Sequence, residues 1–392
     1  MSVYEKYMSV ALTQARRGMG RVSPNPLVGA VVVKGGGVVG LGYHRRAGTP
    51  HAEIHALSQA GKKANRADLY VNLEPCCHHG RTPPCVDAII ASGIKKVVIG
   101  MIDPNPLVAG KGIAQLKRAG LEICPGVLEE DCRKVNEIYI KHITQAVPFV
   151  ILKIASSLDG KIATRSGDSR GLTARQSIRA VHKLRNQVDA ILVGIGTVLA
   201  DDPLLTTRLP GKRGKDPIRV IIDSRLRISP HARVFNPHSS AGVIVATTSR
   251  APRVKKERLE RIGGVKIIAL DGKEGRVDLK GLMTILGGLG ITSLLIEGGT
   301  GISTSALAEG IVDKIIFFYA PKILGGRLAY GITGGDGAAS VSEAIAVHNL
   351  TLRRQGEDIL VEGYIHKPSA GRVAGAQAVS NPAKVTAPCS PA

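Results

Sequence analysis

Apolar and polar residues alternate along the first part of the chain in a way that predicts strands separated by helices. Between residues 27 and 44, two apolar arms rich in valine flank Gly35-Gly36-Gly37, which predicts a hairpin. Further strands are predicted over 67–76, 95–103 and 121–127, and helices over 52–64, 85–93, 112–120 and 129–143. Strands that alternate with helices form a sheet covered by helices, so residues 1–145 are predicted to be one α/β domain.

A second alternating series begins after Pro148, which marks the predicted domain boundary. Strands are predicted over 149–163, 218–224, 242–248, 292–299 and 313–326, a helix over 173–187, and a strand that runs into a loop over 189–203. These elements predict a second α/β domain over 148–366. Residues 367–392 contain no aromatic residue, Leu or Ile and are rich in Ala, Ser and Pro, so they are predicted to be a disordered tail.

The amino-acid composition limits the kinds of molecule that the protein is expected to bind. The 392 residues include 53 basic and 31 acidic side chains, a formal net charge of +22 that favours anionic partners such as phosphorylated metabolites or dinucleotides. Proteins that grip single strands stack bases on aromatic rings, and this chain has only 4 Phe, 8 Tyr and no Trp. We therefore expect no nucleic-acid partner. With no apolar run of about 18 residues and no secretory pattern at the N-terminus, we also expect no membrane partner and a cytoplasmic location.

The stretch "NLEPCCHHGRTPPC" (72–85) concentrates three cysteines and two histidines, which in a long cytoplasmic chain favours a metal site. Upstream, His51-Ala52-Glu53 followed by Pro75-Cys76 matches most of the zinc deaminase signature, H-x-E and then P-C-x-x-C. Such a site uses three protein ligands and leaves the fourth position to water. A carboxylate that is not a ligand moves protons, which predicts that role for Glu53.

The cysteine spacing departs from that signature, because eight residues separate Cys76 from Cys85. The two thiols can still converge if Cys76 ends a strand and Cys85 opens the helix that Pro83-Pro84 starts. Three alternatives stay open at this point: a structural zinc site, a metalloprotease site, or buried thiols without a metal. A structural zinc would take a fourth ligand from Cys77, His78 or His79. A metalloprotease would use His51 and His55 but needs Glu directly after the first His, where Ala52 stands.

The motifs "SPNPLVGAVVV" (23–33), "HAEIHAL" (51–57), "EPCCHHGRTPPC" (74–85) and "GMIDPNPLVAGKGI" (100–113) closely resemble the deaminase domain of the bifunctional riboflavin-biosynthesis deaminase/reductase family. The resemblance implies a cytidine-deaminase-like α/β/α sandwich. It implies one Zn²⁺ held by His51, Cys76 and Cys85, with Glu53 as the catalytic residue. It also places three residues near the substrate: Asn25, His44 and His78. Cys77 falls on a position that is usually Ser, and His79 on one that varies.

The second half offers a weaker signal of its own. The stretch "VGIGTVLADDP" (193–203) lacks the third glycine and the acidic residue of a Rossmann fingerprint. The stretch "IEGGTGIS" (296–303) is a glycine-rich turn after an apolar strand, and its backbone N–H groups could bind phosphate. From the residues alone, this turn is as consistent with an ordinary loop as with a phosphate site.

The segments 152–173, 193–208, 220–224, 296–307 and 320–326 resemble the reductase domain of the same family. The resemblance implies a dihydrofolate-reductase-like α/β domain that uses NADPH. The implied cofactor contacts are Ala155, Gly171, Thr197, Asp201, Ser224, Gly299, Thr300, Gly301, Ile302, Ser303, Thr304 and Ser305. The implied substrate contacts are Lys153, Ser169, Arg185, Leu205, Arg208 and Glu297. Two of these, Arg185 and Arg208, suit a substrate phosphate.

Together the two resemblances imply a bifunctional enzyme for two consecutive steps of riboflavin synthesis. Zinc-dependent hydrolysis removes an amino group from a phosphorylated pyrimidine ribosylamine, and NADPH then reduces its opened ribose. We expect a homo-oligomer. One departure leaves an alternative open, because Gly171 stands where the family usually has Trp. A deaminase with a weak or cofactor-shifted reductase domain is therefore the second hypothesis, and a nucleic-acid deaminase the third.

Overall fold

The computed structural model describes residues 1–80, 83–211, 214–236 and 238–366. The predicted tail, 367–392, lies outside the described residues. Two compact units divide the chain, one spanning Met1–Thr144 and the other beginning at Gln145. In the part of the chain that the structure describes, no helix is both long and apolar enough to cross a membrane.

The first unit opens with a helix that no sequence pattern above predicted. Helix α1 spans Val3–Arg16 and starts with a capping box. The Ser2 hydroxyl accepts the Glu5 N–H at 3.2 Å, and the Glu5 carboxylate accepts the Ser2 N–H at 2.7 Å. Ser-x-x-Glu ahead of an apolar run is a recognisable helix start, so the signal was present in the sequence.

The remaining elements of this unit form a sheet with helices around it. The strands are β1 (Gly29–Lys34), β2 (Gly37–Tyr43), β3 (Asp68–Leu73), β4 (Lys96–Met101) and β5 (Glu122–Pro125). The helices are α2 (Ala52–Ala60), α3 (Cys85–Ala91), α4 (Lys111–Arg118), α5 (Glu129–Val135) and α6 (Glu137–Gln145). The sheet order is β2-β1-β3-β4-β5, with β1 antiparallel to both neighbours and β3, β4 and β5 parallel. Helix α1 packs with α5, and α3 packs with α2 and α4, which gives the predicted α/β/α sandwich.

The single helix predicted over 129–143 is wrong, because two helices, α5 and α6, meet at Asn136. Asn136 is 1% exposed. Its side-chain oxygen accepts the Leu27 N–H at 2.8 Å, and its amide donates to the Leu27 carbonyl at 3.2 Å. An Asn side chain that bonds to backbone elsewhere competes with helix continuation, so a long-range contact ends α5 where local propensity alone would continue it.

The second unit is built on a nine-stranded sheet with the order β11-β10-β9-β8-β12-β6-β13-β16-β15. The strands are β6 (Phe149–Ser157), β7 (Lys161–Ala163), β8 (Ala190–Gly194), β9 (Ile218–Ile222), β10 (Val243–Thr247), β11 (Val265–Ala269), β12 (Ser293–Ile296), β13 (Lys314–Ala320), β14 (Tyr330–Gly331), β15 (His348–Gln355) and β16 (Asp358–Tyr364). The helices are α7 (Arg175–Gln187), α8 (Ile195–Asp201), α9 (Arg253–Glu260), α10 (Leu279–Gly288) and α11 (Thr300–Ala308). The first seven strands of that order are parallel, and their apolar runs are buried except in the edge strand β11, where Ile268 alone is buried.

Two sequence expectations for this unit need correction. The loop predicted after β8 is instead helix α8, whose buried Ile195 and Val198 are three residues apart on one face. Two glycines in "VGIGTV" obscure this spacing, since glycine is a poor helix former. The strand predicted over 149–163 is two strands, because the chain turns between β6 and β7, where the Gly160 N–H donates to the Ser157 carbonyl at 3.0 Å.

Candidate active sites

The first unit gathers one imidazole and two thiols at the ends of three elements. His51 is the N-cap residue of α2, Cys76 follows β3, and Cys85 is the first residue of α3. Nδ1 of His51 lies 3.2 Å from Sγ of Cys85 and 3.5 Å from Sγ of Cys76. Their ligand atoms all lie within 4.8 Å of one another. Among the described residues this is the one such group of three, and Cys77, His78 and His79 are not part of it.

The electrostatics of this group favour a cation. Hydrogen bonds with the Cys85 thiol and with His51 hold the pKa of Cys76 far below its usual range, at about 4. The same contact with Cys76 raises the pKa of His51. Thiolate and imidazole are the ligands that Zn²⁺ prefers in proteins, and three of them leave one position for water. The donor set and its spacing therefore fit a catalytic zinc ion.

Glu53 lies beside these three residues without belonging to them. It sits in the first turn of α2, two residues after His51, and is 3% exposed. Burial, together with the charge of Cys76, raises the pKa of its carboxyl to about 7. Its Oε2 is buried and has no hydrogen-bond partner in the described part of the chain. A carboxyl group with one oxygen unengaged and a pKa near neutrality is suited to taking and giving a proton.

A close backbone contact places the start of α2. A Cβ added to Gly42 of β2 would lie 2.0 Å from the Ala52 carbonyl oxygen. No other residue permits this approach of strand and helix. Gly42 thereby allows His51 and Glu53, on either side of Ala52, to sit directly against the sheet.

Asn25 and His44 form a hydrogen-bonded pair next to the imidazole of His51. Asn25 Nδ2 lies 3.0 Å from His44 Nε2, and His44 Nδ1 lies 3.3 Å from the Pro50 carbonyl oxygen. The rings of His44 and His51 meet edge to face with centroids 5.2 Å apart. Burial lowers the pKa of His44, so its ring is neutral, with Nδ1–H donating to Pro50 and Nε2 accepting from Asn25.

His78 lies two residues after Cys76, between the two cysteines of the group, and is half-buried. Its Nδ1 is buried without a hydrogen-bond partner among the described residues. A buried polar atom of this kind needs a partner, which a bound substrate can supply.

Sequence reasoning assigned no role to Glu74, which organises the loop 103–113 beside Cys76. Glu74 is 3% exposed and accepts three backbone N–H groups, from Asp103 at 3.2 Å, Gly110 at 2.9 Å and Ile113 at 3.1 Å. It ties residues 103–113 to Pro75 and Cys76. The available signal was its place in "EPC", two residues before Cys76.

Asp103, at the start of that loop, was also missed. It is 5% exposed and accepts the Tyr139 hydroxyl at 2.9 Å. Burial raises the pKa of its carboxyl to about 6. Tyr139 belongs to α6, so this contact depends on an element far away in the sequence.

In the second unit, three of the predicted substrate residues form one partly buried ionic cluster. Arg185 donates from Nε to Oε1 of Glu297 at 2.7 Å and from Nη2 to Oε2 at 3.0 Å. Lys153 Nζ lies 3.4 Å from the same Oε2. Burial opposes ionisation of Glu297, but the charges of Lys153 and Arg185 outweigh it and lower the pKa to about 2. Glu297 is therefore ionised and holds both cations in place.

The segment 205–208 adds two more predicted substrate residues to this cluster. Arg185 Nη1 donates to the Thr206 carbonyl at 3.1 Å, and Arg208 Nη1 lies 3.4 Å from the Thr206 hydroxyl. Leu205 is 3% exposed and has a φ of +53°, a strained value for leucine. Ser169, by contrast, lies in an exposed loop between β7 and α7.

The residues predicted to contact the cofactor lie mostly where the parallel strands end. Thr197 and Asp201 belong to α8, which follows β8, and Ser224 follows β9. Gly299 is the N-cap of α11 and has no side-chain cap, so backbone N–H groups of that helix are available to a phosphate. Nucleotides bind outside the carboxyl ends of parallel strands in sheets of this kind, so these positions fit NADPH. Ala155 lies within β6.

Within 299–305, several side chains are already engaged. The Thr300 hydroxyl donates to the Gly331 carbonyl at 2.5 Å, and the Thr304 hydroxyl accepts the Gly334 N–H at 2.8 Å. The Ser303 hydroxyl donates to the Gly299 carbonyl at 3.3 Å, and Ile302 is buried. Contacts of this turn to a cofactor are therefore expected to come chiefly from its backbone and from Gly301 and Ser305.

Gly171, the departure noted in the sequence, is exposed and has a φ of +66°. A Cβ at this position would meet no atom within 4 Å. Space is therefore available for a side chain, but the left-handed backbone would strain any residue except glycine. Lys322 Nζ donates to the Gly171 carbonyl.

Two family models match the chain. The cytidine and deoxycytidylate deaminase zinc-binding region matches residues 1–101, and the RibD C-terminal domain matches residues 148–361. The chain is 44% identical to riboflavin biosynthesis protein RibD of Aquifex aeolicus, covering 91% of this chain and 97% of the relative. It is 40% identical to riboflavin biosynthesis protein RibD of Escherichia coli, again covering 91% and 97%.

Solved structures agree over the same length. The chain is similar to RibD of Acinetobacter baumannii with a TM-score of 0.82, 36% identity, and coverage of 92% of this chain and 98% of that chain. It is also similar to a diaminohydroxyphosphoribosylaminopyrimidine deaminase/5-amino-6-(5-phosphoribosylamino)uracil reductase from Thermotoga maritima. That match has a TM-score of 0.80, 40% identity and the same coverage.

Proposed function

The chain belongs to the RibD family of riboflavin-biosynthesis enzymes, and on that premise we propose which residues carry out each of its two reactions. It is a bifunctional deaminase and reductase. The first reaction deaminates 2,5-diamino-6-(5-phosphoribosylamino)pyrimidin-4(3H)-one, and the second reduces 5-amino-6-(5-phosphoribosylamino)uracil with NADPH. The assignment of the first reaction rests on one observation: His51, Cys76 and Cys85 lie close together, with Glu53 buried beside them.

In the deaminase unit, zinc would be held by His51, Cys76 and Cys85. When bound, zinc supplies the Lewis acidity that makes water nucleophilic near neutral pH. Glu53 accepts a proton from the water that attacks the carbon bearing the 2-amino group, and delivers it toward the departing ammonia. Asn25, which is held in place by its hydrogen bond to His44, binds the polar edge of the pyrimidine. His78 binds the same edge through Nδ1, which has no partner among the described residues.

In the reductase unit, the chain binds and orients both reactants. When bound, NADPH supplies the hydride that reduces the opened ribose. The cations Lys153, Arg185 and Arg208 outnumber the single carboxylate of Glu297, so the cluster stays positive. That charge is suited to the 5′-phosphate of the substrate. We assign Leu205 and Ser169 to substrate contacts of this same site, and the ends of β8, β9 and β12 to NADPH.

Because Gly171 stands where the family usually has Trp, turnover with NADPH compared with NADH is the sharpest test of the reductase proposal. With the deaminated pyrimidine as substrate, we expect the full-length protein to oxidise NADPH and to release an equal amount of the ribitylamino product. NADPH consumption is followed by absorbance and the product by chromatography, with NADH in a parallel assay. Faster turnover with NADH would favour the cofactor-shifted alternative. No turnover with either nucleotide would contradict the reductase assignment.

We further propose that the protein is a homo-oligomer and works in the cytoplasm. Segment 341–352 exposes five apolar side chains: Val341, Ile345, Val347, Leu350 and Leu352. It includes the first half of β15, the edge strand of the large sheet, and exposed apolar patches of this kind mark protein contacts. Reduced ligand thiols favour a reducing compartment.

Light scattering should give a mass above that of one chain, 41.2 kDa. Leu352→Asp should lower this mass, whereas Leu289→Asp, a change at an exposed leucine after α10, should not. A wild-type mass of 41.2 kDa would contradict the oligomer.

A further inference from the structure

A buried histidine lies directly behind the cationic cluster of the reductase unit. His182 is 7% exposed and belongs to α7, three residues before Arg185, so the two side chains share one face of that helix. Nδ1 of His182 accepts the backbone N–H of Arg208 at 3.2 Å. Since Nδ1 accepts, the ring proton resides on Nε2 and the imidazole is neutral.

This contact is one of three hydrogen bonds that fix two consecutive peptide groups. The Thr206 carbonyl accepts from Arg185 at 3.1 Å, the Thr207 N–H donates to Oδ1 of Asp216 at 2.7 Å, and the Arg208 N–H donates to His182. The segment has no regular secondary structure to supply these partners. Side chains therefore hold the main chain from which the Arg208 guanidinium extends.

The chemistry of the surroundings explains why histidine suits this position. The charged groups around it are Arg185, Arg208, Lys153 and Glu297. A carboxylate here would accept the same N–H but would pair with the guanidinium groups and cancel the charge offered to a phosphate. A protonated imidazole would carry a proton on Nδ1 and could not accept the Arg208 N–H. Burial and the neighbouring Arg185 and Arg208 lower the pKa of His182 to about 4, so the ring is the neutral acceptor that the site needs.

We propose that His182 is a positioning residue that holds the main chain of Arg208 so that its guanidinium binds the phosphate of the reductase substrate. The inference rests on the proposed function, in which Arg208 contacts that phosphate. His182 is not among the predicted substrate or cofactor contacts, but in this role it helps the protein to recognise the substrate phosphate.

The test compares His182→Met with His182→Asn in the full-length, zinc-loaded protein. Methionine fills the space without a comparable acceptor, whereas Oδ1 of asparagine can take the place of Nδ1. For the deaminated, phosphorylated pyrimidine we expect KM to rise about tenfold in His182→Met with kcat within about twofold, because the partly buried Arg208 N–H loses its partner. His182→Asn should restore KM to within about threefold. For the same substrate without its phosphate, all three proteins should have similar KM values.

Two controls separate this proposal from a folding defect and from failure of the proposed function. Deamination by the same chain and the KM for NADPH should be unchanged in both variants. The ratio of KM between His182→Asn and wild type should be constant from about pH 5.5 to 8, since the lowered pKa keeps His182 neutral throughout.

If wild type reduces the substrate but His182→Met keeps the wild-type KM, the positioning role is overturned. Equal losses with and without the substrate phosphate would show a merely structural role and also overturn it. If the ratio of KM between His182→Asn and wild type changes near pH 6.5, the claim that His182 acts as a neutral acceptor is overturned. If wild type itself reduces nothing, the proposed reductase function fails first.

Discussion

Glu53→Gln should lower the rate of deamination by about 10²–10⁴-fold, the usual contribution of a positioned general acid–base group. The carboxyl is buried, one of its oxygens has no partner among the described residues, and its pKa is raised to about 7. Glutamine keeps the size and the hydrogen-bonding capacity of the side chain but cannot take a proton from water. The three proposed metal ligands are untouched, so the variant should still bind about one zinc ion per chain.

Ammonia release and metal content measure the two parts of this prediction. Glu130→Gln, a change at an exposed glutamate of α5, is the matched control and should deaminate at the wild-type rate. Reduction of the deaminated substrate should be unaffected in both variants. A Glu53→Gln protein that deaminates near the wild-type rate would remove Glu53 from the mechanism.

Cys76→Ala and Cys77→Ala should behave in opposite ways although the residues are neighbours. Sγ of Cys76 lies 3.5 Å from Nδ1 of His51 and accepts the Cys85 N–H at 3.3 Å. Removing it leaves two ligands, too few for a stable zinc site. The Cys77 thiol lies outside the group, and burial raises its pKa, so it is a poor ligand.

Zinc per chain after dialysis, read together with deamination, distinguishes the two cysteines. We expect Cys76→Ala to fall from about one zinc ion per chain to almost none and to lose deamination. Cys77→Ala should retain both. Loss of metal from Cys77→Ala, or its retention in Cys76→Ala, would show that the wrong thiol has been assigned.

The motifs of the sequence predict more of the deaminase site than the spacing of its cysteines alone would predict. "HAE" and "PC" indicate the chemistry, and Pro83-Pro84 marks the helix start that brings Cys85 to Cys76. Spacing by itself left Cys77, His78 and His79 open as ligands, and the family resemblance favoured Cys85. In the structure, Cys85 is the residue that lies with Cys76 and His51.

Several features that sequence reasoning missed depend on contacts between distant segments. Glu74 binds backbone 29 to 39 residues away, and Asn136 ends a helix by bonding to Leu27 across 109 residues. His182 meets Arg208 across 26 residues through a backbone N–H, which leaves no mark on the identity of either residue. Local patterns report propensity and burial, whereas such pairings follow from the assembled fold.

The most direct test of the central claim, that one chain carries out both steps in order, is NADPH oxidation by wild type and Glu53→Gln. Each protein is given either the diamino pyrimidine or its deaminated product. Wild type should oxidise NADPH with both substrates. Glu53→Gln should do so at the wild-type rate with the deaminated product and almost not at all with the diamino pyrimidine. Equal NADPH oxidation by Glu53→Gln with both substrates, or none by wild type with the deaminated product, would contradict it.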